Sequence, residues 1–449
     1  MSKGFFEKNN TGSKIYKLCE KIFPITRSIT GDGVRETLRL LDAYISEGTG
    51  LHFDIHEAPS GTQVFDWTVP KEWRVRRAFI EDGMGGHIID MEESNLHVVG
   101  YSTPVDQWVD LEELKAHIYT QPDQPDVIPY VTSYYKERFG FCMSENQKNS
   151  LPEGKYHMVI DSELFDGSLT YAELVIPGET DDEILLSSYT CHPSMANNEC
   201  SGPALLAELA RYVHGISARR YTYRFVLNPE TIGSITYLSQ NLGRLKERLK
   251  AGIVLSCVGD DRNYSIIHSR YGQTLADKSL ASVLSSRNNF KEYPFLSRGS
   301  DERQYNAPGI GLPVVGFCRT KYGDYPEYHT SADNMGLVSP AGFQGSFNAV
   351  CEWIACMEAN SCYKMTVLGE PQLGKRGLYP TVSQKGNYDE IRAMVNFIAY
   401  ADGMNDLFDI SRIIGVSAVQ LIPIAKKLEE NGLTIHKDSR SITDGIPYF

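Results

Sequence analysis

The sequence predicts an α/β fold: a mostly parallel sheet flanked by helices, with an inserted β-rich domain and a C-terminal winged-helix module. Three observations predict it. Across residues 171–357, apolar runs of strand length alternate with helical patterns, as in sheets whose crossovers cover both faces. Across 53–167, short alternating runs are separated by glycines and prolines. Beyond a Gly- and Pro-rich stretch at 368–388, two helical patterns meet at a tight turn containing Gly415, the spacing of a helix-turn-helix.

The elements follow in order. Residues 14–23 and 33–46 read as helices, and Pro24 stops the first. The runs 63–68, 77–80, 87–90 and 95–101 read as strands of the β-rich block. Strands are then expected at 172–176, 183–190, 221–228, 252–258 and 313–317. Helices are expected at 202–215, 234–249, 275–286 and 340–357. The last segment shows helical patterns at 389–401, 409–414 and 417–431, and 433–436 opens a wing. If the first two helices pack on the main sheet, the domains are 1–52 with 168–370, the insertion 53–167, and the module 376–449.

Composition narrows the function. A chain of 449 residues suffices for two or three domains with a sizeable core. The formal charge of −13, without a basic cluster, disfavours nucleic acid and anionic membranes and suits a substrate with a free amine. Between Arg376 and Phe449 eight basic residues face nine acidic ones, so the terminal module lacks the charge footprint of a DNA reader and better suits subunit or substrate docking. The nine cysteines are odd in number and form no CxxC pair, and several lie in apolar runs; a reduced, buried set is expected. With no signal-like N-terminus and no apolar run of membrane length, a cytoplasmic protein is expected, and a homo-oligomer is compatible with it.

In open α/β sheets, sites form beyond the carboxyl ends of strands. His192 follows the strand at 183–190, and Asn198 and Glu199 stand where the next helix begins. Glu230 follows the strand at 221–228 before a Gly-Ser helix start. Asp260 and Asp261 follow the strand at 252–258. Asp301 and Glu302 lie in a charged block at 298–304. His329 lies beyond the strand at 313–317, with Asp333 four positions on as a carboxylate able to orient its ring. Each has a bland reading: a core histidine, a helix N-terminal acid, a turn. Their shared position is more telling, because nitrogen and oxygen donors without a thiolate cluster suit a catalytic zinc with an open position. Glu230 then serves as general base or as a ligand. A cysteine hydrolase built on Cys191 is disfavoured, because its neighbour His192 points to the opposite face of the strand end.

The segments 192–202, 230–234, 299–301 and 328–333 (HPSMANNECSG, ETIGS, GSD and YHTSAD) resemble the co-catalytic zinc aminopeptidases of the leucyl aminopeptidase and glutaminyl cyclase type. More closely, the chain is similar to a bacterial aminopeptidase-like group with an inserted β domain and a C-terminal winged helix, often named for polysaccharide biosynthesis. The resemblance implies a zinc metallopeptidase holding one or two ions and cleaving a small peptide or amide with a free amine. By it, His192 and His329 match histidine ligands and Glu230 the base. Three positions depart. The bridging aspartate falls on Asn198, the second ligand glutamate on Thr231, and the aspartate closing the next strand on Ser256. Oxygen ligands are expected from Asn198, Glu199 and Asp260, with Glu230 and Asp301 as the catalytic carboxylates. Asp301, Glu302, Tyr322, Tyr325 and Tyr328 are expected to line the substrate pocket. The three departures also keep open a catalytically impaired binding or scaffold protein on a peptidase fold.

Overall fold

A computed structural model describes residues 10–378 and 387–437. Helix α1 (Thr11–Ile22) and helix α2 (Asp32–Ser46) each bury one apolar stripe, Ile15, Leu18 and Ile22 on the first and Val34, Leu38, Leu41 and Ile45 on the second. Strand β1 (Asp54–Pro59) follows. Four antiparallel strands form a separate sheet: β2 (Glu72–Asp82), β3 (His87–Asp90), β4 (Val105–Asp110) and β5 (Lys155–Phe165), in the order β3-β2-β5-β4.

The main sheet takes up β6 (Ser168–Ile176) and β7 (Glu183–Tyr189), and helix α3 (Ser201–His214) crosses from β7 to β8 (Thr222–Asn228). Helix α4 (Ile232–Arg248) leads to β9 (Leu249–Leu255), and β10 (Tyr264–Ile267) follows. Helix α5 (Leu275–Leu284), β11 (Phe290–Tyr293), β12 (Val314–Cys318) and helix α6 (Pro340–Ala359) complete it. The strand order is β1-β6-β8-β7-β9-β12-β10-β11. The central four strands run parallel and the flanking pairs β1–β6, β6–β8 and β12–β10 antiparallel, so the sheet is mixed. Strand β7 is buried at every residue, as a strand covered on both faces must be.

Two differences from the sequence reading concern boundaries. Residues 54–59, read into the inserted block, pair along their length with β6 in the main sheet. Cys362–Met365, read into the α/β domain, forms β13, the central strand of a sheet with β14 (Asp402–Asp406) and β15 (Thr434–Lys437). Between them lie α7 (Asn387–Tyr400), α8 (Leu407–Ile414) and α9 (Ala418–Glu430). Helices α8 and α9 meet at 115°, within the range of a helix-turn-helix, across a left-handed Gly415. The 95–101 run is a 3-10 turn and loop and not a strand, because no ladder partner continues beside it. The sequence reading missed β1, β4, β5, β10, β11, β13 and β14; it assigned no strand to their residues. The Gly- and Pro-rich stretch is described only to Leu378, and the rest of the expected linker up to 386 lies outside the described residues.

The terminal module is seated on the α/β domain. Ser282 of α5 bonds Ser411 of α8 at 2.7 Å and accepts the backbone N–H of Ala418, at the start of α9. Lys278 pairs with Asp406 at 2.7 Å and Asp409 at 3.2 Å. All nine cysteines are buried and free. Among the described residues no single helix is long and apolar enough to cross a membrane.

Candidate active site

The site lies where the parallel strands end. Strand β7 finishes at Tyr189 and the chain turns through Cys191 and His192 into a single π turn, Ala196–Cys200, that opens α3. Such turns recur at functional sites. Gly202 lets this turn sit against the sheet, since a Cβ there would meet Ser188 Oγ at 2.2 Å and the Leu255 carbonyl at 2.6 Å. Backbone strain gathers here: Ser194, Thr231, Cys257 and His329 are non-glycine residues with positive φ.

His192 is 5% exposed. Its Nδ1 lies 2.7 Å from Glu199 Oε2, and its Nε2 lies 3.8 Å from Glu230 Oε2. The other Glu199 oxygen accepts the Cys191 N–H and lies 3.8 Å from Arg27 Nε, which itself donates to the His192 carbonyl. Glu199 thus stands behind His192 as the carboxylate that orients it, an arrangement that frees Nε2 for a metal. Contrary to the sequence expectation, Cys191 and His192 do not point to opposite faces, because the turn after β7 brings Cys191 Sγ to 3.4 Å from His192 Nδ1. Cys191, His192 and Glu199 thus cluster tightly, yet Glu199 is spent on His192 and Cys191, and Arg27 adds a positive charge.

The His329 ring stands 5.3 Å from that of His192, centroid to centroid, and its Nε2 lies 3.1 Å from Asn198 Oδ1. Tyr328 stacks on it at 3.9 Å. The inserted block holds this loop: Tyr130 N–H donates to the His329 carbonyl at 2.9 Å, and Pro129 bridges Thr330. The Tyr130 ring sits 5.0 Å from His192 and 5.2 Å from His329.

Three expected residues take other places. Asp260 stays outside the histidine cluster; its oxygens accept from Asn197 Nδ2, Thr320 N–H and hydroxyl, and Arg262 N–H. Asp301 accepts from Thr231 N–H, the Ser234 hydroxyl and Asn228 Nδ2, so it clasps the turn that carries Glu230. Asp333 does not reach the His329 ring; it accepts the N–H groups of Asn197 and Asn198 and caps the π turn. Among the tyrosines, Tyr322 donates to Glu302 and Tyr325 to Asp333, while Tyr328 touches the site.

Burial sets the protonation states. Burial, aided by Arg27, pushes the His192 imidazole down to about 3. Burial and the neighbouring His192 take His329 down to about 3, so both rings are neutral. Burial and then the Asp301 carboxylate push Glu230 up to about 8. Burial raises Glu199 to about 8 against Arg27, Asp333 to about 7 and Asp301 to about 6.

Several participants gave no sequence signal. Arg27, Tyr130 and Tyr189 are remote from the site motifs in sequence or lack a motif, whereas Arg303 lies in the charged block at 298–304 that the sequence marked. Tyr189 OH takes a hydrogen bond from Asn198 Nδ2 at 2.8 Å and shares one with Ser256 Oγ at 2.6 Å. Arg303 Nη2 donates to the Thr231 hydroxyl at 2.5 Å. The donors gathered here are two neutral imidazoles, the Glu230 carboxylate and the Asn198 amide oxygen, donor types that suit a zinc ion. Among the described residues, however, only Cys191, His192 and Glu199 bring His, Cys or carboxylate ligand atoms within 4.8 Å of one another.

Comparison with known proteins agrees with this fold. Residues 16–360 match a domain of unknown function (DUF4910), and residues 361–436 match a winged helix-turn-helix. A Clostridium acetobutylicum protein named for polysaccharide biosynthesis and an aminopeptidase-like domain is 44% identical over 407 residues, covering 90% of this chain and 92% of its own. A crystal structure from the same organism, named as a peptidase, is 42% identical with a TM-score of 0.88 over 96% of this chain and 98% of that one. A zinc aminopeptidase from Bacillus subtilis shares the fold alone, at 14% identity and a TM-score of 0.55 over 78% of this chain and 94% of its own. An M28 peptidase from Shewanella amazonensis does likewise, at 12% identity and a TM-score of 0.54 over 80% and 95%. The chain belongs to the DUF4910 family, an aminopeptidase-like α/β fold joined to a C-terminal winged helix.

Proposed function

We propose that the chain is a metal-dependent hydrolase that cleaves a small amide or peptide bearing a free amine, with one zinc ion at His192 and His329. The observation that carries this reading is the convergence of two neutral imidazoles and Glu230, with Glu199 fixing the Nδ1 edge of His192. Zinc, when bound, would polarise the scissile carbonyl and acidify water. Glu230, which burial and Asp301 hold protonated up to about 8, would take its carboxylate form beside a cation at the histidines. As a carboxylate, Glu230 takes a proton from the attacking water and returns it to the departing amine. Asp301 positions Glu230 through the Thr231 N–H and the Ser234 hydroxyl. Tyr130 and Tyr328 flank the imidazoles and restrict the space beside them, which favours small substrates.

A second reading, a binding protein on a peptidase scaffold, is favoured by Asn198, Thr231 and Ser256, whose polar groups are already bonded within the chain. Elemental analysis of chelator-free protein separates the two. About one zinc per chain, lost in His192→Ala, supports the hydrolase and directs a screen of aminoacyl amides. No metal after zinc is added back would leave the binding protein.

A further inference from the structure

The three departures from the aminopeptidase pattern are filled by the chain itself. Tyr189, 1% exposed at the end of β7, points its hydroxyl between Asn198 and Ser256 and bonds both. At Thr231, next to Glu230, the hydroxyl accepts from Arg303. Where the pattern would place carboxylates around a second cation, this chain has an amide, two hydroxyls, a phenol and a guanidinium. A second cation would gain no counter-charge from these groups and would be repelled by Arg303. A pair of metal ions does not fit.

Arg303 also has unused capacity. Its Nε is buried and has no partner among the described residues, while Nη2 is fixed by Thr231. Asp301, two residues earlier, is bonded to the same Thr231 through its N–H, so the 301–303 turn and the 230–231 turn are laced together. A guanidinium tied to the residue next to the base, and near enough for its charge to act on Glu230, is placed to meet a developing oxyanion.

We propose that Arg303 replaces the second cation and holds the anionic oxygen that forms at the scissile carbonyl. This deepens the single-ion hydrolase reading and rests on it. As the water oxygen bonds to the carbonyl carbon, the C=O π pair moves onto oxygen and Glu230 takes the water's proton. The resulting oxyanion accepts from Arg303. When it collapses, the C–N bond breaks and the nitrogen leaves with the proton from Glu230.

The test is titration calorimetry with aminomethylphosphonate, a tetrahedral anion bearing an amine, on the full chain alongside zinc analysis. The proteins are wild type, Arg303→Lys and Arg303→Gln. The expected result is no more than one zinc per chain throughout. Phosphonate affinity should fall about tenfold or more in Arg303→Gln and less in Arg303→Lys, which keeps the charge but loses the fork. Two zinc ions in the wild type, no phosphonate binding to it, or unchanged affinity in Arg303→Gln would each overturn the proposal. A wild type without zinc would defeat the hydrolase reading instead, and the phosphonate comparison would still judge Arg303.

Discussion

Nδ1 of His192 lies 2.7 Å from Oε2 of Glu199, and this contact decides which edge of the imidazole faces the site. When Glu199 is ionised, His192 Nδ1–H donates to it and the Nε2 lone pair is directed toward Glu230. Glu199→Gln keeps the shape but weakens that bond. Zinc affinity, measured against a chromogenic chelator, is expected to fall about 10- to 100-fold. Unchanged affinity would remove Glu199 from the site.

Glu230 is the group assigned to proton transfer. In Glu230→Gln, hydrolysis of whichever aminoacyl amide proves to be a substrate is expected to drop about 100- to 10,000-fold, with the zinc content retained. Loss of zinc along with activity would instead make Glu230 a ligand.

The metal-free protein has a testable pH response. Glu199 and Glu230 titrate at about 8 and Asp333 at about 7, above their ordinary values, so their protonated forms favour the folded state at low pH. That contribution is lost as pH rises through 7 and 8. His192 and His329, held down at about 3, act oppositely, but only below about pH 6.5, where an unfolded histidine gains a proton. Between pH 6.5 and 8.5 the carboxyls act in the same sense as His268, which its bond to Asp277 raises above the ordinary histidine value and which loses its stabilising charge as pH rises. In chelator the melting temperature is expected to fall across that window by about 2 °C or more, and Glu199→Gln should flatten the slope. A rise would contradict the assignment.

Cys191 is buried, burial pushes its thiol up, and it accepts the Glu230 N–H at 3.3 Å. A thiol so placed is no nucleophile. Cys191→Ser should retain zinc and activity, and native protein should resist iodoacetamide at this residue. Loss of activity with zinc retained would reopen the cysteine mechanism.

The seating of α9 on α5 bears on the terminal module. Its first residue, Ala418, which would enter a DNA groove, is bonded to Ser282 instead. The full chain is expected not to retard random duplex DNA at physiological salt, and Lys278→Glu should lower stability by about 1 kcal/mol, read as a shift in the urea midpoint. Retardation by the wild type would mean that the module undocks.

Much of the fold was legible because its signals are local. The fully apolar run at β7, the amphipathic stripes of α1 and α2 and the Gly415 turn each announce their element through neighbours in sequence. Strand β13 was missed because a four-residue strand ending beside a long helix has no periodicity to read, and only its partners β14 and β15 define it.

At the site, sequence by itself determined the positions of His192, Glu230 and His329, since strand ends in a parallel sheet converge on one edge. It also marked Asn198, Thr231 and Ser256 as departures. Tertiary structure alone decided the roles of the carboxylates: Glu199 behind His192, Asp260 in a loop, Asp301 under Glu230 and Asp333 on a helix cap. It alone brought Tyr130, Tyr189 and Arg303 to the histidines and Glu230. The physical reason is that a carboxylate's function depends on which donors saturate its oxygens, and those donors come from segments separated by tens to hundreds of residues.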